Sequence, residues 1–108
     1  MYQQPDAAKV ANFLEKHPKV APLLVPLAAE IKRYFQGHLR GVDLVVDQDP
    51  EEPSREDLFA VIRCDIEDAE IALDLLDRFE RNWWSSIAAA AEVPLHVDVE
   101  YATYSYSV

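Results

Sequence analysis

The chain is predicted to be an α+β protein: a two-layer sandwich in the order α-α-β-β-α-β, with a small three-stranded sheet and the helices on one face. Three observations carry this expectation. Apolar residues recur every three or four positions in three stretches, as on one side of a helix. In the segments 42–46 and 95–101 they recur at every second position, the period of a half-buried strand, and between these lies a nearly continuous apolar run, "LFAVIRCDI". Each helix thus offers one stripe and each strand one apolar face, and two packed layers use every one of them once.

The first helix is "PDAAKVANFLEKHP", with apolar positions at 7, 10, 11 and 14, Asp6 as its N-cap and an end before Pro18. The second carries Val20, Leu23, Leu24, Leu27, Ile31, Tyr34 and Phe35 on one stripe. Pro22 lies near enough its start to be tolerated, Pro26 predicts a bend, and Gly37 is the expected stop. In "RGVDLVVDQ", Val42, Leu44 and Val46 share one face, leaving Asp43, Val45 and Asp47 on the other. The connection "DQDPEEPSRED" has two prolines and six acids against one arginine, so it reads as solvated. In the next strand Leu58, Ala60, Ile62, Cys64 and Ile66 are expected to face the helices, with Phe59, Val61, Arg63 and Asp65 opposite.

The third helix is expected to start near residue 66, capped by Asp65, with Asp68 completing a capping-box-like pattern. On a regular helical wheel Ala69, Ala72, Leu76, Phe79, Trp83 and Ile87 cluster within roughly 80°, with Trp83 at their centre. The adjacent Trp84 then falls about 100° away, at the margin of the stripe. Trp83 is therefore the expected core residue, and Trp84 is either the edge of the core or a binding anchor. The last strand is "PLHVDVEY", followed by a tail rich in tyrosine and serine.

The chain has 108 residues and reads as a single domain, 1–108, without internal repeats. Its net charge of −10 is unevenly spread. Residues 1–42 hold six basic and three acidic side chains, and the remainder four basic and seventeen acidic, so the two parts carry +3 and −13. The acidic part repels phosphate backbones and disfavours nucleic acid as the ligand, whereas a basic protein partner suits it. No apolar run reaches the length of a membrane span, and "MYQQPDAAKV" lacks the marks of a signal peptide. With a single cysteine, Cys64, the chain is expected to be cytoplasmic. The two glycines, Gly37 and Gly41, build no phosphate-binding loop or nucleophile elbow. No cofactor is expected.

Two sets of candidate residues follow from the alternation. Val45, Phe59 and Val61 form an apolar island on the otherwise charged open face of the sheet, which with Trp84 makes a partner-binding surface. The C-terminal tail, through Tyr104 and Tyr106, could instead fold over that island. The alternative is a metal or acid-base site in which His96 works with Asp98, Glu100 or Asp43.

The pieces "FLEKHPKVAPLLVPLAAEIKRYF", "LVVDQDPEEP", "LFAVIRCDI", the acidic helix start ending in "WW", and "LHVDVEY" together resemble a loosely defined family of small uncharacterised prokaryotic proteins. The resemblance implies association with toxin-antitoxin or similar paired genes and supplies no catalytic residue. In this chain "NWWSSIAAAAEVP" stands where a more polar connection is expected, which lengthens the helix. The leading functional expectation is a non-catalytic protein-interaction module, antitoxin- or immunity-like, and the alternative is a small metal-binding or acid-base enzyme domain. A homodimer is a third reading.

Overall fold

The computed structural model describes residues 2–52 and 54–101. Helix α1 (Ala7–Lys16) begins where expected, the Asp6 carboxylate accepting from the Lys9 N–H. Helix α2 (Ala21–Phe35) runs on through Pro26 and buries Leu27, Ile31 and Phe35. Its end differs from expectation. A 3-10 turn, Gln36–His38, follows, and the residue with positive φ is Gln36, at φ 46° and ψ −127°, while Gly37 has an ordinary negative φ.

The sheet has four strands rather than three, in the order β1-β2-β3-β4: Tyr2–Gln3, Leu39–Gln48, Glu56–Cys64 and Leu95–Glu100. It is mixed, because β1 runs parallel to β2, β2 antiparallel to β3, and β3 parallel to β4. The short β1 was not foreseen. It is held by Tyr2, whose hydroxyl donates to the Leu24 carbonyl on α2 at 2.5 Å, and burial raises the pKa of that phenol. Two residues carry no periodicity, so a strand defined mainly by a tertiary hydrogen bond leaves no local pattern to read.

The strand faces fall as the alternation predicts. Val42, Leu44, Leu58, Ala60, Ile62, Cys64, Leu95 and Val97 are buried in one cluster with Val10, Phe13, Leu27, Ile31, Phe35, Ala72, Leu76 and Phe79 of the helices. No polar or charged side chain among the described residues is buried. Thus the helices cover one face and leave the other open. Burial also raises the Cys64 pKa and keeps it a thiol, consistent with a packing role.

The third helix starts later than expected. Its cap is Asp68, which accepts from the Glu70 N–H, and α3 spans Ala69–Phe79. Asp65 instead turns back to the start of β2, where it accepts from Arg40 and lies 3.0 Å from His38 Nδ1. The helix then passes through a π-helical turn, Glu80–Trp84, before α4 (Ser85–Ala91), so the helical stretch does run longer than the tryptophan pair. In the π turn the Ser85 N–H donates to the Glu80 carbonyl, five residues back.

That turn reverses the expectation for the tryptophans. Buried positions step from Ala72 to Leu76 to Phe79 at helical spacing, and the next one is Trp84, five residues on and 4% exposed. Trp83 lies at the edge of the core, partly buried beside Phe79. One residue inserted into a helix rotates everything after it by about 100°, which moves Trp84 to the place a uniform wheel gives to Trp83. Trp84 is therefore withdrawn as an exposed binding anchor.

Candidate functional site

The open face of the sheet is set by register. Val45 lies opposite Phe59, which pairs with His96, and Asp43 lies opposite Val61, which pairs with Asp98. Gly41 lies opposite Arg63, which pairs with Glu100, and at the far end Asp47 lies opposite Asp57. The expected apolar island is assembled: Val45 and Phe59 sit side by side with Val61 one pleat away. Val45 is 42% exposed, while Phe59 and Val61 are half-buried. The tail proposed to cover them, with Tyr104 and Tyr106, lies outside the described residues.

The charged groups around the island are fixed by pairs. Arg63 Nε donates to Asp43 Oδ1 at 3.2 Å and its Nη2 donates to Gln3 Oε1 at 2.6 Å, tying β1, β2 and β3 together across the face. The guanidinium lies over Gly41, where a Cβ would come within 2.4 Å of Arg63 Nη2 and make that side-chain end shift. His96 Nε2 lies 3.0 Å from Asp57 Oδ1, and its ring rests on Phe59 with centroids 5.0 Å apart. This contact eases the otherwise unfavourable opposition of Asp47 and Asp57.

The alternative residue set is dispersed. His96 is taken by Asp57, Asp43 by Arg63, and Asp98 Oδ1 accepts from the Val99 N–H at 2.8 Å. Among the described residues no group of three or more His, Cys, Asp or Glu could hold a metal ion. Asp65, expected on this face, is at the corner with His38 and Arg40 because β3 ends at Cys64. A His–Asp pair such as His96–Asp57 can pass a proton, but it stands on the flat sheet face, whereas a sizeable cleft lies elsewhere.

That cleft was missed from sequence. It has a volume of about 740 Å³, lies between the end of α2 and the start of α3, and is bordered by Tyr34, Gln36, His38, Glu70, Ile71 and Leu75. The readable signal was Ile71, an apolar residue of α3 that falls off the buried stripe and is 55% exposed. The Asp74–Arg78 ion pair, at 3.0 Å, closes part of its wall.

No helix among the described residues is long and apolar enough to cross a membrane. No protein-family model matches the chain, and neither a curated protein nor a solved structure matches it.

Proposed function

We propose that the protein is a non-catalytic interaction module, antitoxin- or immunity-like in manner, whose open sheet face receives a basic protein. One observation carries this reading: an apolar island, with Val45 exposed and Phe59 and Val61 half-buried beside it, sits within a face whose charges are mostly acidic. Asp43, Asp47, Asp57, Asp98 and Glu100 share that face with a single arginine, Arg63. Carboxylates around an apolar centre steer a basic partner into contact, and burial of the centre supplies the affinity. The same charges oppose docking a second copy of this face onto itself.

The test is partner capture from the source cells, followed by measurement of the purified pair. A basic partner whose affinity falls at least about tenfold with Phe59→Lys and falls with added salt supports the proposal. Val25→Lys is the matched control, because Val25 is 78% exposed on α2 and away from the sheet face. Equal loss in the two variants, or none in either, rejects it.

A further inference from the structure

The outer edge of β4 has an order that the face alone does not explain. No described strand lies beyond β4. The Leu58 N–H donates to the Pro94 carbonyl at 2.9 Å, which fixes the phase of the parallel ladder. Every second residue of β4 therefore turns its main-chain groups toward β3: His96, Asp98 and Glu100. Leu95, Val97 and Val99 turn theirs outward. The Asp98 side chain curls onto this edge and accepts from the outward Val99 N–H, as that alternation requires.

A bare edge is a template for another strand, and proteins commonly blunt it with charge. Here all the charge is of one sign. Asp98 and Glu100 project from β4, and Glu80 on the π turn lies near enough to feel Asp98. Burial chiefly, with repulsion from Asp77 and Asp98, raises the Glu80 pKa. A second copy pairing through this edge would bring those acids against themselves. A strand bearing lysine or arginine would relieve them.

We propose that the β4 edge accepts an extended basic segment of the partner as a fifth strand, resting on the basic-partner reading above. The outward groups of Leu95, Val97 and Val99 form the ladder. An incoming carbonyl replaces Asp98 on the Val99 N–H, which frees that carboxylate to meet a cationic side chain beside Glu100. Cationic residues on the open-face side of the segment alternate with apolar ones that extend the row of Leu95, Val97 and Val99.

The probe is a fluorescent hexapeptide of alternating lysine and valine, titrated against the full chain by anisotropy. Its glutamate-valine analogue is expected to bind at least about tenfold more weakly, and N-methylation of alternate lysine-valine amides to abolish binding. Val97→Pro removes an outward donor while sparing the β3 ladder, a position at which an edge strand tolerates proline, and it should also abolish binding. Asp98→Asn keeps the acceptor and loses the charge, so binding should weaken and its salt dependence flatten. Unchanged binding by the N-methylated peptide, or by folded Val97→Pro, overturns the proposal. Loss with Phe59→Lys but not with Val97→Pro overturns the edge while leaving the face reading intact. Self-association of the wild type that Val97→Pro removes also overturns it, because the occupant is then a second copy.

Discussion

The π turn makes the two neighbouring tryptophans unequal in a measurable way. Trp84 is almost fully enclosed, and an aromatic of its size buries roughly 200 Å² on folding. At about 25 cal/mol per Å² that area is worth at most about 5 kcal/mol, and aromatic-to-alanine truncations in cores cost about 3 to 5, so Trp84→Ala should cost about 4 kcal/mol. Trp83 sits against Phe79 at the core margin, where water can fill part of the space it vacates. Trp83→Ala should therefore cost only about 1 to 2 kcal/mol. Urea unfolding at equal slope reads both losses. A domain of this size has a total of about 5 to 15 kcal/mol, so Trp84→Ala should unfold at markedly lower urea and Trp83→Ala only somewhat lower.

A deletion tests the cause rather than the burial alone. Removing Asn82 from the π turn lets the backbone close as a regular α-helix, and Trp84 then follows Phe79 at a spacing of four and still points inward. Removing one residue from a uniform helix would instead rotate all later residues out of the core. The Asn82 deletion should thus be milder than deletion of Asp74, in the regular part of α3. If Trp83→Ala costs as much as Trp84→Ala, or the two deletions are equally damaging, the inserted residue does not set the register.

Two further outcomes follow from the structure. Gln36→Gly should raise stability by about 1 to 2 kcal/mol in urea unfolding, because Gln36 holds φ 46° and ψ −127°, a region that glycine enters without strain; no gain would show that the turn is not strained. Glu80 is more easily protonated in the folded protein than in the unfolded chain, so the folded state binds more protons between the two pKa values and stability falls as pH rises through that window. Glu80→Gln should therefore be more stable than wild type at pH 7, with the difference shrinking toward pH of about 4, where an unperturbed glutamate also protonates; a difference that does not change between those pH values would refute this.

Burial was legible wherever the backbone repeats uniformly. The alternation of Val42, Leu44, Leu58, Ala60, Ile62, Leu95 and Val97 placed each on the covered face, and the same alternation assembled Val45, Phe59 and Val61 on the open one. What could not be read were points where one local choice overrides the period. β1 depends on Tyr2 reaching Leu24, far along the chain, and the helix cap passed from Asp65 to Asp68 because Asp65 finds His38 and Arg40. His96 was expected to work with Asp98, Glu100 or Asp43, yet its partner is Asp57 on the neighbouring strand. Alternation says which residues share a face, but only the pairing register says which of them touch.

The tryptophan pair shows why an amphipathic pattern alone was not enough. Trp83 and Trp84 differ by one position, and one inserted residue is what separates an α-helical continuation from the π turn, so both registers place a tryptophan in the core. The sequence "RNWW" is thus equally compatible with either, and a wheel at 100° per residue chooses Trp83 by construction. The downstream residues do little to break this symmetry. In the shifted register Ala88, four residues after Trp84, as well as Ile87, contacts the core, and the run "AAAA" that follows is small enough to sit near the sheet in several rotations. With so little bulk after Ile87, the cost of rotating the last helical turn is low, and the deciding term is the fit of one large indole. That term depends on the shape of the core, not on any periodicity along the chain.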